Sequence, residues 1–381
     1  MKLSSLPRKV ARGLPYLGKE IRATISDRTP FFIAVPRTVH IWRGAPCNAK
    51  CIMCIHGYYQ GEDYRKISTS PFTDEMMSRA LTEIHELCGH GTLVSYMGSE
   101  PTINRHIIEW VELAGKLGLD FRFTTNGYVV NEDQARRYVA AGLFNIGVSL
   151  ESLDPKINEI IRPYPDGTAR TLRCITLLLR ERERQNKHLS INVKTVLTDI
   201  NLESFLDIVR RFGKIEGVMC TPQVFEALDD KMPEKTKNLL FIKDNDRLQR
   251  VTDQIRELKR EGYTVHVTDQ ALADMVKQNT EDRNHTSTMH NKRLEMDPSQ
   301  PECNIGTDSM WIDQGQVKLC PYHAPIGSFL AEPRPTLKQM WHSKTTRKVR
   351  AQTRACRRLC TISCLRRTPL WHKVSTFLKI A

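Results

Sequence analysis

Short runs of β-branched and aromatic residues recur through the first 221 positions of the chain. They are VHIW at 39–42, TLVSYM at 92–97, DFRFTT at 120–125, FNIGVSL at 144–150, LSINVKTVL at 189–197 and EGVMCT at 216–221. Each reads as a strand. Between them apolar residues return every three or four positions, the spacing that gathers them on one face of a helix. This predicts helices over 74–87, 103–116, 132–141, 170–184 and 202–212. Thr73 stands where the first helix needs an N-cap, and Asp74 and Glu75 suit the positive end of its dipole. Strands alternating with helices in this way predict an α/β fold, a parallel sheet wrapped by helices and closed or partly closed into a TIM-like barrel. In such a barrel the chemistry gathers at the C-terminal ends of the strands.

The pattern then changes. Residues 229–300 are highly charged, predict one helix over 246–262, and end in the polar run NTEDRNHTSTMHNKR, which suits a connector or lid. Residues 301–368 are short, turn-rich and cysteine-bearing, as in a small domain stapled by metal. The expected organisation is therefore a basic N-terminal segment (1–30), a core barrel (31–228), the connector or lid (229–300), the cysteine-rich domain (301–368) and a basic amphipathic tail (369–381).

With 40% hydrophobic and 26% charged residues among 381, and no apolar run approaching the roughly 18 residues of a bilayer span, the composition is that of a globular protein that does not cross a membrane. The N-terminal MKLSSLPRKVARGLPYLG is basic but broken by Pro7, Gly13 and Pro15, so no secretory signal is expected. Eleven cysteines, odd in number and clustered, fit metal ligation in a reducing cytoplasm better than a disulfide framework. Cys88, Cys174 and Cys220 stand alone in apolar segments and read as small buried hydrophobes. The net charge of +14 is concentrated: residues 333–381 carry thirteen lysines and arginines and no acid.

Three of the remaining cysteines lie in APCNAKCIMCIHGYY, on a loop opened by Gly44 and Pro46 directly after the first strand. Cys47, Cys51 and Cys54 offer three thiols with no fourth. A structural zinc site needs four ligands, and His56 is a candidate for the last, although the spacing is unlike that of zinc fingers. Three idle thiols on a buried face are a second reading. A third is a cubane of four irons and four sulfides held by three thiolates, with one iron left open.

The spacing C-x3-C-x2-C after a first strand resembles the signature of the radical S-adenosylmethionine (radical SAM) superfamily, whose fold is a partial (β/α)6 barrel. The resemblance implies a [4Fe-4S] cluster on Cys47, Cys51 and Cys54 whose open iron chelates S-adenosylmethionine. One electron then cleaves the sulfonium to a 5′-deoxyadenosyl radical. It also implies an external electron donor such as a flavodoxin or ferredoxin. Met53 takes the position where the family often has an aromatic residue against the adenine, and a thioether can also pack on a ring.

Met97-Gly98-Ser99-Glu100-Pro101 resembles the family's Gly-Gly-Glu-Pro motif, which receives the ligand's ammonium, with Ser99 in place of the second glycine. Thr124-Thr125-Asn126-Gly127 resembles its Thr-Asn-Gly turn. At the end of the fourth strand, Ser149 and Glu151 stand where the family places a serine and an acid, usually aspartate, near the methionine carboxylate and ribose. Arg162 stands where related enzymes bring a cation toward the ligand carboxylate, and a solvated arginine at a helix end is the alternative.

Cys303, Cys320, Cys356, Cys360 and Cys364 form the second group. A hairpin around Asp313-Gln314-Gly315-Gln316 is expected to bring Cys303 and Cys320 near one another. The arrangement resembles the SPASM or twitch extension of radical SAM enzymes, which implies a second, auxiliary [4Fe-4S] cluster held by four of the five. Structural zinc held by four of them is the alternative.

In the tail, Leu370, Trp371, Val374, Phe377 and Leu378 share a helical face. A helix docked on its own barrel, a helix lying on an anionic membrane surface, and a docking element for an acidic peptide or nucleic acid all fit. The resemblance as a whole implies a radical SAM enzyme of the SPASM/twitch type that abstracts hydrogen from a C–H bond and oxidises or cross-links a peptide, sugar or lipid-linked substrate. A zinc-stabilised nucleic-acid-binding protein and an iron–sulfur electron carrier are the contrasting readings. The first leaves the triplet without its fourth ligand, and no aromatic-basic platform for single strands is present. The second leaves the methionine-binding positions unexplained.

Overall fold

The computed structural model describes residues 34–227, 231–281, 309–321 and 323–354. Six strands follow the predicted positions closely: β1 (Thr38–Trp42), β2 (Leu93–Met97), β3 (Asp120–Thr125), β4 (Asn145–Ser149), β5 (Ser190–Leu197) and β6 (Val218–Val224). Consecutive strands pair in parallel, β1 to β2 through β5 to β6. The sheet is open, with β6 at one edge, and so is a partial barrel.

Three further strands extend the other edge. β7 (Ser309–Asp313) pairs parallel with β1, and β8 (Gln316–Lys318) and β9 (Gly327–Ser328) follow antiparallel. The expected hairpin is there, joining β7 to β8 through Gln314 and Gly315 at φ 46° and 88°, the left-handed pair of a type I′ turn. Its place in the sheet was not legible, because a strand's partner depends on surface that is distant in sequence.

Alternation along the strands sorts the side chains. Val39, Ile41, Val94, Tyr96, Phe121, Phe123, Ile146, Val148, Ile191 and Val193 are buried beneath the helices. Those helices match expectation with small shifts. Asp74–Cys88 is capped by Thr73, whose hydroxyl accepts from the Met76 amide. The second begins at Ile107 instead of 103, because Pro101–Ile103 winds as a 3-10 turn. Ile107–Lys116, Glu132–Ala140, Gly167–Arg184 and Ser204–Phe212 complete the set. Cys88, Cys174 and Cys220 are buried in this core.

The opposite faces of the strands are polar. Arg122 Nε donates to Ser95 Oγ at 3.0 Å, and Lys194 Nζ donates to Thr124 Oγ1 at 3.0 Å. Lys194 reaches β3 across β4 because Gly147 lies between: a Cβ there would sit 2.6 Å from Thr124 Oγ1 and 3.0 Å from Lys194 Cε.

Within 231–281, the helix Asn245–Arg260 buries Leu248, Val251, Ile255 and Leu258, and Val265 forms a parallel bridge to Cys220 on β6. None of the described helices is long and apolar enough to cross a membrane.

The segment after β9 is pinned to the barrel by a buried ion pair. Arg334 Nη1 donates to Glu83 Oε2 at 3.2 Å, its Nη2 donates to Glu83 Oε1, and the Leu337 amide donates to Oε2 at 2.8 Å. Removing one partner of such a pair leaves an uncompensated buried charge. Glu83→Ala should therefore lower unfolding stability by about 3 kcal/mol, read as a shifted urea midpoint; a loss under about 1 kcal/mol would mean the pair holds nothing together.

Candidate active site

The loop that follows β1 is held by contacts to three neighbours. Ala45 N donates to Ile67 O at 3.0 Å, and at Gly44 a Cβ would lie 2.3 Å from Thr69 O, so only glycine lets the chain pass. Ile52 N donates to Ile161 O at 3.0 Å. The Asn126 side-chain amide donates to Asn48 Oδ1 at 2.8 Å, tying the loop to the end of β3.

Within the loop, Cys54 N donates to Cys51 O at 3.0 Å, and Cys54 leads directly into the helical turn Ile55–Tyr58. Cys51 is buried, while Cys47 and Cys54 are partly exposed. Burial pushes all three thiols up, Cys47 to about 12, and at Cys51 the Arg162 guanidinium opposes the rise. Metal binding here must release protons. Met53 is buried in an apolar cluster with Ala49, Cys51, Tyr128, Ile161 and Phe225. His56 is buried and packs edge-on against Tyr64.

Among the described residues, no three His, Cys, Asp or Glu side chains converge as ligands of one metal ion.

At the end of β2, Gly98 and Ser99 take φ 93° and 51°. Gly98 has no alternative, since a Cβ would come within 2.8 Å of Trp42 Nε1. Ser99 adopts the left-handed conformation without glycine's freedom, at a cost of about 1 kcal/mol. Its Oγ, like Nδ2 of Asn48, is shielded from solvent and makes no hydrogen bond. Such orphaned groups near the cysteine loop are what a polar ligand would satisfy.

Glu100 is fully buried and accepts four hydrogen bonds. Oε1 takes Thr102 N at 3.0 Å, Thr102 Oγ1 at 2.5 Å and Thr125 Oγ1 at 2.6 Å; Oε2 takes Asn126 N at 2.7 Å. The carboxylate thus braces the ends of β2 and β3 as well as standing at the candidate site. Pro101 follows it as the start of the 3-10 turn.

After β4, the backbone of Glu151 is fixed on both sides: its N–H donates to Asn158 Oδ1 at 2.9 Å, and its carbonyl accepts from Asn201 Nδ2 at 2.9 Å. Its carboxylate accepts Val196 N and Arg162 Nε, both at 2.7 Å. Arg162 is not a solvated helix-end residue; its side chain is 11% exposed, and Nη1 lies 3.4 Å from Cys51 Sγ. Ser149 ends β4 level with Lys194.

The fold thus brings the cysteine loop and the ends of β2, β3 and β4 to one rim. Of the second cysteine group, Cys320 is buried just beyond β8; Cys303, Cys356, Cys360 and Cys364 lie outside the described residues, as do 1–30 and the tail 369–381. Sequence reasoning missed Asn48, Thr102, Tyr128, Asn158 and Asn201, which carry no motif signal. Only Asn48, inside the cysteine triplet, had a position that pointed to it.

Residues 44–212 match the family model described as the radical SAM superfamily. Fe-coproporphyrin III synthase of Methanosarcina barkeri is 23% identical over 222 residues, 58% of this chain and 52% of that protein, so the chain spans about half the length of this relative. Among solved structures, Streptococcus suis SuiB bound to the precursor peptide SuiA is similar with a TM-score of 0.56 at 14% identity, covering 86% of this chain and 69% of that one. Native anSMEcpe with bound S-adenosylmethionine and Cp18Cys peptide has a TM-score of 0.55 at 15% identity, covering 90% of this chain and 96% of that one. At such identities the likeness is one of fold.

Gly57 supplies a test of the loop. A Cβ there would stand 2.0 Å from Cys51 O, so Gly57→Ala must displace the backbone between two of the thiols. The variant should keep its far-UV circular dichroism and lose several-fold in iron bound after anaerobic reconstitution; native iron content would show that the thiol spacing is not set by this contact.

Proposed function

Residues 44–212 form a radical SAM domain, and from that premise we propose that the chain reductively cleaves S-adenosylmethionine and abstracts hydrogen from a C–H bond of a peptide substrate. Oxidation or cross-linking of the peptide is the expected outcome. The observation that carries the reading is the set of three thiols on one braced loop, with the ends of β2, β3 and β4 beside it. When bound, the [4Fe-4S] cluster supplies the electron that cleaves the sulfonium.

The chain's own residues do the rest. Cys47, Cys51 and Cys54 would hold the cluster. Backbone groups at Gly98, Ser99 and Pro101, the Glu100 carboxylate and the orphaned Ser99 hydroxyl would receive the ammonium end of the cosubstrate. Asn126, Ser149, Glu151 and Arg162 would define the ribose and carboxylate side, and Met53 the adenine side. The apolar cluster around Met53 limits water at the reacting centre.

A peptide is favoured because the fold is similar to those of SuiB with its bound precursor peptide and anSMEcpe with its bound peptide. Curated relatives named as Fe-coproporphyrin III synthase and probable GTP 3′,8-cyclase each share only a part of their length with this chain. Four of Cys303, Cys320, Cys356, Cys360 and Cys364 would hold a second [4Fe-4S] cluster in a SPASM/twitch domain at 301–368, where it would supply an acceptor for one electron. A flavodoxin or ferredoxin would donate the first electron, in the cytoplasm, and the tail 369–381 would provide peripheral contact with a membrane.

Anaerobically reconstituted protein, given dithionite and S-adenosylmethionine, should be brown and release 5′-deoxyadenosine. Cys51→Ala should reduce that release at least a hundredfold, on the order of what loss of an essential group costs. Brown protein without release would mark an electron carrier, and colourless protein with bound zinc would end the enzymatic reading.

A further inference from the structure

Arg162 makes a contact that cosubstrate binding does not explain. Its guanidinium spans two partners, donating through Nε to Glu151 Oε1 at 2.7 Å and pointing Nη1 at Cys51 Sγ, 3.4 Å away. We infer that Arg162 is a positioning residue for the cluster: it donates a charge-assisted hydrogen bond to the Cys51 thiolate and thereby sets the cluster's reduction potential, with Glu151 as the counter-charge that limits the effect. This rests on the proposal that Cys51 is a cluster ligand.

The geometry is fixed from several directions. Ile161 O accepts from Ile52 N, so adjacent residues of one helix end hold adjacent residues of the cysteine loop, one by backbone and one by side chain. Arg162 N donates to Asn158 O at 2.8 Å, and Asn158 Oδ1 in turn accepts Glu151 N. Glu151 also accepts Val196 N. The guanidinium therefore has little freedom to swing elsewhere. Cys47, by comparison, receives a 3.5 Å contact from Ala49 N, and although the guanidinium charge is also felt at Cys54, its hydrogen-bond contact is with Cys51.

The chemistry gives a sign. A guanidinium stays protonated throughout the accessible pH range. A positive donor beside a cluster thiolate favours the more negative, reduced state, and hydrogen bonds to cluster sulfurs are among the main determinants of such potentials. Removing the cation should make the cluster harder to reduce. Removing the opposing carboxylate should make it easier.

The test is an EPR-monitored redox titration of the reconstituted full-length protein without S-adenosylmethionine, so that no ligand carboxylate competes for the arginine. Relative to the native protein, Arg162→Gln should move the midpoint to more negative potential and Glu151→Gln to more positive potential. Arg162→Lys, which keeps the charge but cannot span both partners, should fall between Arg162→Gln and native. A residue that merely stabilises the fold would move both glutamine variants the same way or neither. Either result, in variants that bind the native amount of iron, overturns the assignment. So does an Arg162→Lys protein with a native midpoint whose dissociation constant for S-adenosylmethionine rises more than tenfold, since the arginine would then serve the cosubstrate alone. Should Arg162→Gln fail to bind iron, Arg162→Lys and Glu151→Gln decide the sign. A native chain that binds no cluster sinks the functional reading itself and is recognised before any variant is compared.

Discussion

A carboxylate withdrawn from water must find donors or lose its charge, and two carboxylates under that constraint organise the rim of this barrel. Glu100 is surrounded by Thr102, Thr125 and the Asn126 amide; Glu151 by Arg162 and the Val196 amide. Burial pushes both toward protonation while these donors oppose it. Because the donors come from neighbouring strands or the helix beyond, satisfying each acid also fixes where those elements end. The barrel's hydrophobic side would tolerate small shifts between strands, but a four-bonded carboxylate would not.

The cysteine loop inherits its position from this framework. Asn126, whose backbone is held by Glu100, holds Asn48 with its side chain. Arg162, paired with Glu151, reaches Cys51. Each buried acid is therefore linked through one residue to the loop, and the thiols are placed by polar contacts at the rim more than by core packing. Gly44, Gly57 and Gly98 matter for the complementary reason: at each, a single added carbon would collide with a neighbouring segment.

Much of this was legible beforehand. The strands and helices followed from alternation and from helical spacing because each of those patterns reflects one buried face. The thiol triplet was readable since all of its members fall within one loop. Arg162 was harder to read. Position alone left it between a solvated helix end and a ligand contact, and the structure shows a third arrangement, a bridge between an acid and a thiol. The parallel pairing of β7 with β1 escaped entirely, as did the bracing roles of Thr102, Asn158 and Asn201, for each joins residues whose separation along the chain carries no periodic signal.

By itself, then, the amino-acid order determined what is local: which segments are strands, where helices start, which side chains can bind iron, and that glycine or a stand-in must turn the chain after β2. Tertiary structure alone decided which strand pairs with β1, which donors surround two buried acids, and which thiol meets a guanidinium. The division has a physical basis. Secondary structure and motif spacing arise from neighbours a few residues apart, whereas the electrostatics of a buried site depend on groups brought together only when the whole sheet has formed.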